Sequence, residues 1–317
     1  MKATFIDGNA VGYAAQNSKS LTNSQGDPIQ AVFHSIKSMW NLANRFVGYT
    51  PFVLWDTHCQ WRYNIYPDYK GKRDADPKQK KMRDEYRLQR PLIQEAFKLL
   101  GIRQVQKDGY EADDVAGIYA KKFKEMPIGQ GHKAILFTGD KDWLQLVHEN
   151  VSWHGVVGHK TISMNNFERE TGFSTTKKFL EAKILHGDPS DTITGVGGIG
   201  ETIAPKLINH FGSIRAMQSA FNINGEFTKL NLPTGLTRSR NKINSFCLNE
   251  KGQHEMLKRN LRLMNLLNVK PHDGKLDMTL QKPDKEAFTD FCLNNEFVTL
   301  ADKASRIINE INNRGDL

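Results

Sequence analysis

A chain of 317 residues with 38% apolar content is long enough for one large domain or two modest ones, and it can bury a substantial core. Its 44 Lys and Arg against 35 Asp and Glu leave a net charge of +9, which favours a polyanionic partner. No apolar run approaches the roughly 20 residues of a membrane helix, and the amino terminus opens on a strand pattern instead of a secretory leader, so no membrane association and a cytoplasmic location are expected.

Four short apolar runs read as buried strands: Thr4 to Ile6, Phe52 to Trp55, Ala134 to Thr138 and Val151 to Trp153. Amphipathic stretches that suit helices separate them, which predicts an α/β fold with a mainly parallel central sheet and helices on both faces. In such sheets ligands sit beyond the carboxyl ends of the strands. Three of the runs are followed within two residues by an acid: Asp7, Asp56 and Asp140. The stretch from Tyr66 to Arg90 is polar and basic and is expected to protrude. Later come a helix at Phe179 to His186, a glycine-rich turn at Gly195 to Gly200, a helix from Glu201 to Phe211, a loop over Asn222 to Asn244 and helical spacing from Gln253 to Leu267. The expected organisation is a catalytic α/β domain over 1–165 with an arch at about 66–95, a helical region over 166–267 with a hairpin at about 187–211, and a C-terminal extension over 268–317. Cys59, Cys247 and Cys292 are too scattered for a disulfide framework or paired metal-ligand spacing.

The acids carry the chemistry. Taken singly each has an ordinary explanation: Asp7 before Gly8 suits a turn, and Glu111, Asp113 and Asp114 suit the first turn of a helix. Asp140 and Asp142, and then Asp188 and Asp191, fall beside further element ends. Carboxylates brought together unpaired repel one another and cannot all stay ionised, so their joint occurrence calls for cations. Oxygen ligands without His or Cys point to Mg²⁺, with Mn²⁺ as a substitute, and so many acids exceed what one Mg²⁺ recruits. Two such ions suit in-line displacement at a phosphodiester.

The order of these motifs resembles the 5′ nuclease family, which includes flap endonucleases, bacteriophage 5′-to-3′ exonucleases and the 5′ nuclease domain of bacterial DNA polymerase I. The resemblance rests on Phe5-Ile6-Asp7-Gly8-Asn9, Trp55-Asp56, Glu111-Ala112-Asp113-Asp114, Thr138-Gly139-Asp140-Lys141-Asp142 and Gly187-Asp188-Pro189-Ser190-Asp191. It covers about residues 4 to 212 and is closest in kind to a free-standing bacteriophage-type member. It implies a PIN-like or resolvase-like α/β domain, a helical arch and a helix-hairpin-helix region. By the same similarity Asp7, Asp56, Glu111 and Asp113 surround a first metal, and Asp114, Asp140, Asp142, Asp188 and Asp191 hold or orient a second.

Tyr69-Lys70-Gly71-Lys72-Arg73 resembles the basic segment at the foot of the arch. There Lys70 and Arg73 would neutralise the scissile phosphate, Lys72 would contact DNA, and Tyr69 would offer a face for a terminal base. Gly195-Val196-Gly197-Gly198-Ile199-Gly200 contains a G-x-G-x-x-G pattern, but it follows a helix and not a strand, so a dinucleotide site is rejected. Gly195, Gly197, Gly198 and Gly200 are instead expected in a DNA-binding hairpin whose main-chain carbonyls could hold K⁺, and a basic run at Arg238, Arg240 and Lys242 would extend that contact.

The resemblance implies a metal-dependent 5′-to-3′ exonuclease and 5′-flap endonuclease in replication or repair. It would be a monomer acting on DNA with 5′ ends, flaps or nicks, with RNA–DNA hybrid as a further substrate and replication proteins as partners. The alternatives are a PIN-type endoribonuclease, against which the second acid pair and the hairpin argue, and a non-catalytic DNA-binding module, against which the complete acid set argues.

Overall fold

The computed structural model describes residues 1–228, 231–269 and 275–312, and they form two compact units. The first comprises Met1–Cys59, Asp76–Ser163 and Val269–Leu317; the second comprises Gln60–Ala75 and Met164–Asn268.

The chain enters the first unit on β1 (Lys2–Asp7), followed by α1 (Gly8–Gln16), α2 (Gln30–Arg45) and β2 (Thr50–Leu54). After α3 (Gln60–Ile65), which belongs to the second unit, the first unit continues with α4 (Pro77–Leu99), β3 (Arg103–Gln106), α5 (Ala112–Glu125), β4 (Lys133–Thr138), β5 (Val151–Gly155) and β6 (Thr161–Ile162). Strands β5, β4, β1, β2 and β3 lie side by side in parallel, with antiparallel β6 at one edge. Central β1 pairs Phe5 with Phe52 of β2 and with Leu136 of β4, and five of its six residues are buried. A strand covered by helices on both faces must be apolar on both, which is why these strands read as unbroken hydrophobic runs.

Helix α4 is set by its ends. Asp76 caps it by accepting from the backbone N–H groups of Lys78 (2.8 Å) and Gln79 (3.3 Å), and Pro77 occupies the first turn, where no N–H is needed. Its buried residues Tyr86, Gln89, Ile93, Ala96 and Phe97 recur at three and four positions and face the core. This corrects the expectation that Tyr66 to Arg90 protrudes as a whole. Residues 71–81 are exposed, whereas the second half of α4 is packed.

The second unit is helical. It gathers α3, α6 (Phe167–Thr171), α7 (Thr176–His186), a small hairpin of β7 (Gly187–Asp188) and β8 (Ile193–Thr194), α8 (Ala204–Phe211), α9 (Ile214–Asn224), α10 (Arg240–Cys247) and α11 (Gln253–Met264). Two expectations change here. Residues 201–203 form a turn, so α8 begins at Ala204 and not at Glu201, and the region expected as a loop holds the end of α9 and most of α10.

The C-terminal segment returns to the first unit with β9 (Asp277–Thr279), α12 (Lys285–Asn294), α13 (Val298–Ala301) and α14 (Ala304–Asn312). Strand β9 pairs antiparallel with β3 and closes the other edge of the seven-stranded sheet. Phe288, Phe291, Ile307 and Ile311 join Val32, Ile36 and Met39 of α2 in one apolar core. The backbone N–H of Asp284 donates to Leu99 O and the Asn312 amide to Leu100 O, both at 2.9 Å, so the segment also satisfies carbonyls at the end of α4. What reads in sequence as an extension is part of the α/β fold.

Candidate metal centre

In the first unit the acids stand at the carboxyl ends of the parallel strands. Asp7 ends β1 and caps α1: its Oδ1 accepts from the N–H of Ala10 and its Oδ2 from the Thr138 hydroxyl, each at 2.9 Å. Asp56, two residues past β2, accepts from the N–H of Ala112 on Oδ1 and from the Asn9 amide on Oδ2, both at 2.6 Å. Thr138 ends β4, and its hydroxyl also accepts from the N–H of Asp140 at 3.0 Å, tying Asp7 and Asp140 to one side chain. Asp140 in turn caps the short 3₁₀ turn Lys141–Leu146 by accepting from the N–H of Asp142 at 2.7 Å.

Glu111 and Asp113 open α5. Asp113 accepts from the indole N–H of the buried Trp143 at 2.7 Å, which orients its carboxylate. Asp114 is fully buried, and its Oδ2 accepts from the backbone N–H of Glu111 at 3.0 Å. Of the two roles expected for it, this placement favours orienting over holding an ion.

The electrostatics single out Asp7. Burial above all, and then the nearby charge of Asp56 and more weakly that of Asp140, push its carboxyl up to about 7; the hydrogen bonds from Ala10 and Thr138 oppose the rise without cancelling it. Like charges therefore do meet on this rim, and a proton or a cation must relieve them. Among the described residues no three Asp, Glu, His or Cys side chains are gathered tightly enough to enclose an ion by themselves. The donors on this rim are all oxygens, the chemistry of a hard divalent cation.

In the second unit Asp188 ends β7 and Asp191 lies in the β7–β8 turn. Asp188 Oδ1 accepts from the N–H (2.9 Å) and hydroxyl (2.6 Å) of Ser190, and the Lys183 ammonium lies 3.7 Å from Oδ2. Burial raises the Asp188 carboxyl, but the Ser190 bonds and Lys183 outweigh it and the net shift is downward. Asp191 pairs with the Arg73 guanidinium at 2.8 Å and accepts from the Tyr69 hydroxyl at 3.0 Å, while the N–H of Lys70 donates to its carbonyl at 2.9 Å. Lys70 and Thr192 both have positive φ, at 58° and 63°, a strained conformation for these residue types.

Tyr69 requires a correction. Its ring is 3% exposed, packed with Ile193, Leu263 and Met264, and it presents no face to a terminal base; the hydroxyl is the working end, spent on Asp191. Lys72 is exposed on the same loop.

The glycine run forms the connection between α7 and α8. Gly197 has φ 57°, a left-handed backbone that favours glycine, and a Cβ there would also have to displace the side-chain amide of Gln253, whose Oε1 would lie 2.1 Å away. Gly198 also has positive φ, and the Lys242 side chain lies beside it; Gly200 faces open space, whereas Gly195 backs onto His186.

Sequence reading missed the neutral donors Asn9, Thr138 and Trp143, and with them Tyr86 and Arg90. Asn9 and Thr138 lie inside motifs that were recognised for their acids; Trp143, Tyr86 and Arg90 had no local signal.

Comparison with known proteins identifies the family. The family profile described as 5′-3′ exonuclease, N-terminal resolvase-like domain matches residues 2–173. The chain is 32% identical to thermostable DNA polymerase I of Thermus thermophilus over 67% of its own length, but it spans only 24% of that relative. With a 5′-3′ exonuclease of Mycoplasma genitalium it shares 30% identity over 96% of this chain and 99% of the relative. Among solved structures, a bacteriophage T5 flap endonuclease in complex with DNA and metal ions superposes with TM-score 0.64 at 21% identity, covering 98% of this chain and 99% of that one. Human GEN1 bound to Holliday junction DNA gives 0.61 at 17%, covering 97% and 71%. The two structures speak for the fold, and the profile and sequence relatives for descent: this chain belongs to the 5′-3′ exonuclease family.

Proposed function

We propose that this protein is a divalent-metal-dependent 5′-to-3′ exonuclease and 5′-flap endonuclease that hydrolyses DNA phosphodiesters. The observation that carries the reading is the row of acids at the strand ends, where Asp7 is buried near the charges of Asp56 and Asp140. Asp7, Asp56, Glu111, Asp113, Asp140 and Asp142 would hold two Mg²⁺ ions, or Mn²⁺ in their place, with Asp114 orienting Glu111 and with Asp188 and Asp191 in the roles the family resemblance gives them. At these residues, divalent ions would supply activation of water and neutralisation of the leaving oxygen in an in-line displacement.

The remaining steps belong to the chain's own side chains. Thr138 and Asn9 fix the directions of Asp7 and Asp56, so little reorganisation is needed when charge develops. Lys70 and Arg73 neutralise the phosphate, and Lys72 steers the strand; the ion pair of Arg73 with Asp191 is the exchangeable contact that a phosphate would replace. Gly195 to Gly200, with Lys242 beside Gly198, is a duplex-backbone contact whose carbonyls could take K⁺. Replication or repair in the cytoplasm, monomeric action, RNA–DNA hybrid as a second substrate and contact with replication proteins complete the reading.

A time course on 5′-flap, blunt, nicked and RNA–DNA hybrid substrates, labelled at both ends, tests it. Mg²⁺-dependent release from the 5′ side is expected, and chelator-insensitive cleavage or release from the 3′ side would refute it.

A further inference from the structure

Helix α4 has two halves of different character. Its first half is exposed and basic, carrying Lys78, Lys80 and Lys81, while its second half is packed against α1 and α2. From that packed half two side chains reach the strand-end acids. The Tyr86 hydroxyl donates to Asn9 Oδ1 at 2.8 Å, and the Asn9 amide donates to Asp56 Oδ2 at 2.6 Å. One turn further along, the Arg90 guanidinium donates to the Asp56 carbonyl at 2.9 Å and lies 5.1 Å from the centre of the Trp55 ring. The chain is directional. A carboxylate oxygen only accepts, so Asn9 must present its NH₂ to Asp56, which leaves its carbonyl oxygen for a donor, and Tyr86 is that donor.

The fold makes room for this arrangement. A Cβ at Gly12 would fall 2.2 Å from the Tyr86 ring, so glycine at this position of α1 makes room for the ring, which is 2% exposed. Tyr13 packs against it with ring centres 4.3 Å apart. The packing holds the ring while its hydroxyl donates to Asn9. The second oxygen of Asp56 is fixed independently by the N–H of Ala112, so both ends of the carboxylate are set before an ion arrives.

We propose that Tyr86 and Asn9 form a positioning relay that holds the Asp56 carboxylate in its ion-binding orientation, with Arg90 fixing the backbone beneath it. The relay rests on the reading of Asp56 as a divalent-metal ligand. It makes the affinity for the ion depend on a tyrosine that touches neither ion nor DNA. Gln89 provides the control. It lies on the same packed face of α4, and its hydrogen bonds run to Ala31 (2.9 Å), Gln16 (2.9 Å) and Glu85 (3.3 Å) and not to Asp56.

The test is calorimetric titration of Mn²⁺ into the DNA-free protein, for wild type, Tyr86→Phe, Asn9→Ala and Gln89→Leu, with thermal midpoints measured in parallel. Loss of a partner behind a metal ligand costs about 10- to 100-fold in affinity, so Tyr86→Phe should weaken Mn²⁺ binding about ten-fold and Asn9→Ala at least as much. The double variant should be no worse than Asn9→Ala, because the two act in series. Gln89→Leu should lower the midpoint and leave Mn²⁺ affinity within two-fold. In cleavage assays Tyr86→Phe should raise the Mg²⁺ concentration needed for half-maximal rate without changing KM for DNA. Wild-type Mn²⁺ affinity in Tyr86→Phe, or equal losses in Tyr86→Phe and Gln89→Leu, would overturn the relay. A wild type that binds Mn²⁺ but does not cleave DNA would defeat the proposed reaction and leave the calorimetric comparison decisive for the relay; a wild type that binds no Mn²⁺ would defeat both.

Discussion

Asp7 and Asp56 in the first unit and Asp188 and Asp191 in the second are held by different kinds of group. On the strand ends of the first unit, Asp7, Asp56 and Asp113 accept from a threonine hydroxyl, an asparagine amide, an indole and backbone N–H groups. On the β7–β8 turn of the second unit, Asp188 and Asp191 lie beside Lys183 and Arg73. Neutral donors orient a carboxylate but leave its charge in place, whereas a cationic partner cancels it. The charge of Asp7 and Asp56 is thus what the proposed cations would meet. At the turn of the second unit Asp188 and Asp191 each already have a cationic side chain within reach.

The largest effect should come from removing charge on the acids of the first unit. Asp113→Asn or Asp140→Asn should lower cleavage by more than about 100-fold, with DNA affinity within two-fold by anisotropy; full activity in either purified variant breaks the assignment. Next comes Lys70→Ala, which should reduce kcat by about 10²-fold and KM by much less. An effect on KM alone would move Lys70 from the reaction to mere attraction.

Asp7 sharpens the comparison through stability. Its folded pKa of about 7 lies above the ordinary value of 3.8, so the folded state binds this proton more tightly than the unfolded one. This contribution is intact below pH 3.8 and is lost as pH rises toward 7, the reverse of a salt-bridged carboxylate. In metal-free protein at pH 7.5, Asp7→Asn should raise stability by roughly 1–3 kcal/mol, after allowance for the Thr138 and Ala10 contacts that an amide meets less well. Adding Mg²⁺ should stabilise the wild type and not the variant. A variant less stable than wild type without metal would show that the rim is not strained by charge.

The smallest effect separates two roles for Tyr69. Tyr69→Phe keeps the ring and removes the hydroxyl from Asp191, at a cost of about 1 kcal/mol in stability, together with a higher Mg²⁺ requirement. A stacking role would make this variant silent.

How much of this could be read in advance follows from range. A parallel strand buried on both faces writes itself as an apolar run, and an acid just past it needs no partner to be noticed, so β1, β2, β4 and β5 and their acids were legible. Strand β3, Arg-Gln-Val-Gln, and the fully exposed β9 exist because a neighbour pairs with them, and nothing in their own residues says so. The same holds within the site. Thr138 meets Asp7 across 131 positions and Tyr86 meets Asn9 across 77, contacts made by topology and invisible to spacing. Tyr69 was misjudged because an aromatic beside lysines reads as a stacking surface, while burial by Ile193, Leu263 and Met264 comes from far along the chain.

Anomalous diffraction from crystals grown with Mn²⁺ tests the central claim most directly. A pair of peaks about 3.5 to 4 Å apart beside Asp7, Asp56, Glu111, Asp113 and Asp140 is the expected result, with the near peak lost in Asp56→Asn. Mn²⁺ bound only elsewhere on the protein, with those carboxylates still turned to their neutral donors, would contradict it.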